Sequence, residues 1–100
     1  MYIAMNRFKI TIGSEEDFEN VWKNRDSHLN TVKGFVSFNL LKGPTTELFT
    51  LYASHTTWKT KNDFLLWTKS EAFRQAHKGA GGNGAMYLGH PEFEGFDTVL

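Results

Sequence analysis

The sequence contains no cysteine in its 100 residues. Disulfides, thiolate metal sites, iron–sulfur clusters and cysteine nucleophiles are therefore excluded, and the fold must hold by packing. Net charge is missing as well. Eleven Lys and Arg balance eleven Asp and Glu, and the basic residues are scattered rather than grouped. Such a chain has no general attraction for nucleic acid or for an anionic membrane surface. No apolar run approaches membrane-spanning length. The opening residues, MYIAMNRFKI, lack a basic stretch followed by a long apolar one, so no secretory signal is expected. The expectation is a soluble cytoplasmic protein. No Gly-x-Ser-x-Gly elbow occurs, so hydrolase chemistry is not indicated.

What the chain does have is aromatic residues: nine Phe, three Tyr and three Trp. An aromatic-lined pocket or a large oligomer interface would account for the excess over a minimal core, and dense core packing would also use it. The length fits one domain spanning 1–100.

From Tyr2 to Ile12 the residues alternate, with Tyr2, Ala4, Asn6, Phe8, Ile10 and Ile12 on one face, which predicts a first strand. Gly13 ends it. Ser14 is a good N-cap, and Glu15, Glu16 and Asp17 suit the first turn of an amphipathic helix running to about Leu29. A second strand is expected over Phe35–Lys42, a turn at Gly43-Pro44, and a third strand from about Glu47 to His55 as an antiparallel partner. A second helix is expected from about Thr57 or Thr60 to Thr68, with a fresh start at Ser70-Glu71. A glycine loop occupies 79–84. Ala85–His90 reads as a last strand, checked by Pro91 and followed by an alternating tail. The order strand, helix, strand, strand, helix, strand is that of an α+β, ferredoxin-like split βαβ fold with an antiparallel sheet. Its helices cover one face. The other is apolar in part, and a second copy of the chain could cover it.

Few residues stand out for chemistry. Asn6 sits among apolar neighbours on the first strand, where an amide costs free energy unless it finds a partner. It either donates into a pocket or is satisfied by backbone. His77 could ligate a metal or could simply cap a helix end. His28, His55 and His90 show no spacing to it that would build a zinc site, and no His-x-Asp/Glu pair supports non-haem iron. A lone histidine ligand suffices when a porphyrin supplies four nitrogens. Trp67 is either core or the wall of a site for a flat ligand. The stretch 79–84 formally fits Gly-x-Gly-x-x-Gly, but no strand precedes it and no helix follows, so no phosphate is assigned to it.

Asn6-Arg7, Trp67 within Phe64-Leu65-Leu66-Trp67, and His77 within Phe73-Arg74-Gln75-Ala76-His77 resemble, in order and spacing, the antibiotic-biosynthesis-monooxygenase (ABM) domain family. Within that family the resemblance is to the IsdG-like haem-degrading monooxygenases, over almost the whole chain. It implies a dimeric α+β barrel and a haem acting as substrate and cofactor, with O2 and an external electron donor or reductase. In that setting His77 would ligate the iron, Asn6 would donate a hydrogen bond on the oxygen side, and Trp67 would crowd the porphyrin out of plane. Arg25 corresponds roughly to a basic helix position that in some members lies near the haem propionates or the pocket mouth, although an Arg at a helix C-terminus also suits the helix dipole. The glycine-rich stretch after His77 and the tail have no residue-by-residue match. Two alternatives stay open on the same fold: a cofactor-independent monooxygenase of a polycyclic aromatic substrate, and a non-enzymatic haem-binding module.

Overall fold

The computed structural model describes residues 1–25, 29–71, 73 and 84–100. Among these residues the elements are β1 (Tyr2–Thr11), α1 (Glu15–Lys23), β2 (Phe35–Thr45), β3 (Phe49–Trp58), α2 (Lys61–Thr68) and β4 (Glu92–Asp97), with 3-10 turns at Leu29–Thr31 and Gly84–Met86. The strands form one antiparallel sheet in the order β2-β3-β1-β4. That is the ferredoxin-like order, with β1 and β3 central. No helix of the described residues is long and apolar enough to cross a membrane.

The helix-facing side of the sheet follows from the β1–β3 register, which pairs Tyr2 with Trp58, Ala4 with Thr56, Asn6 with Ser54, Phe8 with Tyr52 and Ile10 with Thr50. Two separate buried clusters form on it. Beneath α2 lie Tyr2, Ala4, Leu29, Trp58, Phe64 and Trp67. Beneath α1 lie Phe8, Ile10, Phe18, Tyr52 and Met86. Hydrogen bonds tie down the polar groups at both ends. Thr50 donates to Glu15 at 2.9 Å, and the Tyr52 hydroxyl donates to Glu19. At the other end the Trp58 indole donates to Thr56 at 2.9 Å, and Thr56 donates to the Ala4 carbonyl at 3.3 Å.

Helix starts follow local chemistry. Thr60 caps α2 by accepting from the Asp63 N–H at 3.0 Å. Ser70 accepts from the Phe73 N–H at 3.1 Å, the capping contact expected of a fresh helical start there. Ser14 occupies the N-cap of α1, but its hydroxyl takes a bond from Thr11 instead of capping a helix N–H. The Glu15 carboxylate instead accepts from the Gly13 N–H at 2.7 Å.

Several expected boundaries move. Helix α1 stops at Lys23 rather than near Leu29, because the weak helix former Asn24 is its C-cap. Gly43-Pro44 does not turn the chain. It makes a register irregularity inside β2, an edge strand where a proline is tolerated, and the turn lies at Thr46, whose hydroxyl accepts from the Leu48 and Phe49 N–H groups. Strand β3 then runs on to Trp58. The largest correction is the last strand. Ala85–His90 holds a 3-10 turn, a single bridge between Tyr87 and Ile10, and Gly89 at a positive φ of 86°, so it cannot extend. The strand comes after Pro91, in the alternating tail, where Gly95 leaves room for Tyr2.

The outward face of the sheet is mixed. Ile3, Met5 and Ala53 are half-buried, Leu41 and Phe96 are 42% and 46% exposed, and Arg7 pairs with Glu94 at 2.5 Å.

Candidate functional site

Between the two clusters the sheet is not covered. Along the helix-facing side of β1 and β3 every residue is buried except Asn6 and Ser54, the pair at the middle. Above them opens a cavity of about 1070 Å³. This is at the upper end of small-molecule sites, which run from roughly 300 to 1,000 Å³. Its walls are Trp22 and Phe38 on one side and Phe64, Trp67, Phe73 and Phe93 on the other, with Arg25, Tyr87 and His90 also in the lining.

Aromatic contacts build these walls. Trp22 stacks on Phe38 with ring centroids 5.5 Å apart and planes 18° from parallel. Phe64 stacks on Phe93 at 5.8 Å and 9°. Trp67 is held from behind by Trp58 at 5.3 Å and edge-on by Phe73 at 4.8 Å. Trp67 is thus both a core residue and part of the cavity wall.

Arg25 lies just beyond the C-terminus of α1, its guanidinium carbon 3.9 Å from the centre of the Trp22 ring. Burial pushes the guanidinium below its ordinary range, and the neighbouring Tyr87 partly offsets this. Arginine stays charged nonetheless. Among the described residues no carboxylate pairs with it. A partly desolvated cation at an apolar cavity suits an anionic group on a ligand. The Asn6 side chain likewise has no protein hydrogen-bond partner among the described residues, and its amide is free for whatever enters the cavity. The buried Trp22 indole nitrogen also lacks a partner among the described residues.

Asn6, Trp67 and Arg25, far apart in the chain, therefore line one cavity. His77 and most of the glycine loop 79–84 lie outside the described residues. Sequence reasoning missed Trp22, Phe38, Ser54 and Phe93. Trp22 was visible only as part of an amphipathic stripe. Ser54 could have been found by pairing the two central strands, which brings it opposite Asn6.

A profile of the antibiotic biosynthesis monooxygenase family matches residues 1–79. The chain is 38% identical over 77 residues to a heme-degrading monooxygenase of Halalkalibacterium halodurans, covering 77% of this chain and 66% of that protein. It is 40% identical over 68 residues to a heme-degrading monooxygenase of Shouchella clausii, covering 68% and 63%. Each match thus spans slightly less than two thirds of the relative's length. Among solved structures, the heme-degrader MhuD from Mycobacterium tuberculosis, with two hemes in its active site, superposes with a TM-score of 0.76 at 23% identity, covering 100% of this chain and 97% of that one. That likeness shows a common fold.

Proposed function

The chain belongs to the antibiotic biosynthesis monooxygenase family, and on that premise we propose that it is a haem-degrading monooxygenase. The observation that carries the reading is the convergence of Asn6, Trp67 and Arg25 on one aromatic cavity. Haem is a flat apolar disc with carboxylates along one edge. It needs ring-shaped walls, a cation for the carboxylates and an axial ligand. Trp22, Phe38, Phe64 and Trp67 provide the walls, and Arg25, with no carboxylate partner among the described residues, provides the cation. His77 is the proposed ligand. The names of the 38% and 40% identical relatives point the same way.

Haem, as the substrate, would supply the iron chemistry, using O2 and electrons from an external donor, with ring opening releasing the iron. The chain's own residues bind and orient. Asn6 would donate a hydrogen bond on the oxygen side, and Trp67, packed against Trp58 and Phe73, would crowd the porphyrin. Arg25 fixes the carboxylate edge, and the aromatic walls exclude bulk water. A second copy covers the outward sheet face, where Ile3, Met5, Leu41 and Phe96 are incompletely buried, giving a homodimer. The enzyme works in the cytoplasm, where a reductase or small-molecule reductant is at hand.

The test is a titration of apo-protein with hemin, followed by ascorbate in air with catalase present. A saturable Soret band that decays to a bilin-like spectrum with iron release is expected, and His77→Ala should lose the ligated spectrum. A stable Soret band under reductant would leave a haem-binding module instead. Absence of specific binding would favour a cofactor-independent oxygenase acting on a polycyclic aromatic.

A further inference from the structure

Ser54 occupies the centre of the sheet. It lies on central strand β3, on the helix-facing side, directly opposite Asn6 on central strand β1. Directly opposed residues on one sheet face have Cβ atoms about 4.5–5.5 Å apart. Nothing about strand formation asks for a serine here. Strand interiors favour branched and aromatic side chains, and the flanking positions on this face of β3 are Tyr52 and Thr56.

The other polar side chains on this face of β3 are all occupied. Thr50 donates to Glu15 and shares a 2.9 Å hydrogen bond with Thr45. Tyr52 donates to Glu19. Thr56 donates to Ala4 and accepts from Trp58. At the middle of this face, the Asn6 and Ser54 side chains present polar groups with no protein partner among the described residues. They are also the two positions where the run of burial breaks and the cavity floor is reached. A polar group left unsatisfied in an apolar setting costs free energy, and a ligand that hydrogen-bonds to it recovers that cost.

We infer that Ser54 is a further ligand-contacting residue, forming with Asn6 a two-point hydrogen-bonding floor for the oxygen-side ligand of the bound haem. This rests on the reading of the cavity as a haem site. The two groups are complementary. The amide offers two N–H donors and an acceptor in one fixed plane, whereas the hydroxyl rotates and offers a donor with two acceptor sites. Together they can hold a small diatomic ligand from two directions, and neither alone fixes its tilt. Ser54 contacts the oxygen-side ligand and makes no bond to the porphyrin.

The test uses carbon monoxide bound to the reduced, hemin-loaded protein and reads the C–O stretching frequency, which falls when a donor bonds to the ligand oxygen. Ser54→Ala should raise the frequency, Asn6→Ala should raise it too, and the double variant should exceed both. Ser54→Thr, which keeps the hydroxyl, should restore the wild-type value. All variants should load hemin with the wild-type stoichiometry and melt cooperatively. If Ser54→Ala loads hemin and leaves the frequency where it was, the inference is wrong and the haem reading stands. If the wild-type protein forms no saturable Soret band, the haem reading falls and takes this inference with it.

Discussion

The two ends of the helix-facing sheet surface and its middle are built from the same pair of strands but by opposite rules. At the ends, large side chains close on one another. Trp58, Tyr52, Phe18 and Ile10 are fully buried, and each polar group among them has a partner in the chain. In the middle, two small polar residues face an empty volume and bond to nothing in the described chain. The ends are optimised for folding, and the middle is kept incomplete for something that arrives later. This is the pattern expected where a functional site interrupts an otherwise consistent core.

The comparison is broken most forcefully at the ends. Trp58→Ala should cost about 3–5 kcal/mol, the usual range for deleting a buried indole. Trp58 also backs Trp67, so hemin affinity should fall with stability; chemical denaturation and a hemin titration on the same sample check both. Gly95→Ala comes next. A Cβ at this position would overlap the Tyr2 ring hydroxyl, so β4 must shift at a cost of about 1–3 kcal/mol. An unchanged melting temperature would mean that β4 does not pack on Tyr2.

Tyr52→Phe should have a smaller effect, about 0.5–1.5 kcal/mol for one hydrogen bond, and it carries a pH signature. Burial first, then the Glu19 hydrogen bond, raises the Tyr52 phenol above its ordinary value of 10.0. The fold therefore prefers the protonated form. Its stabilisation is fully present below about pH 10 and is lost as pH rises further, because the unfolded chain ionises first. Unfolding measured across the alkaline range should be less steep in Tyr52→Phe than in wild type. Tyr2 and Tyr87 are raised by burial as well, so some slope should persist.

The smallest change in stability is expected in the middle. Ser54→Val and Asn6→Ala should stay within about 0.5 kcal/mol of wild type or exceed it, since neither removes a native hydrogen bond and valine suits a strand better than serine. A loss comparable to that of Trp58→Ala would erase the distinction between ends and middle.

Much of this division was legible beforehand. The alternation of Tyr2, Ala4, Phe8 and Ile10 placed the inner face of β1 and marked Asn6 as the odd member, and the element order gave the split βαβ arrangement. Trp67 could not be divided between core and site, because the same ring does both. The last strand was misplaced because Gly95 removes a side chain from an otherwise strand-like tail, while Ala85–Leu88 looks apolar enough to pair. The Arg25–Trp22 contact joins residues whose stacking depends on how α1 ends, which spacing alone does not show. Ser54 was silent because a serine in a strand has no meaning until the register sets it opposite Asn6.

The most direct test of the central claim is to fill the middle. Ser54→Phe points an aromatic ring into the cavity floor. Titrated with hemin beside the wild type, it should keep the native far-ultraviolet circular dichroism and melting temperature while losing the saturable Soret band. A folded Ser54→Phe protein that binds hemin with wild-type affinity and spectrum would show that the haem site lies elsewhere.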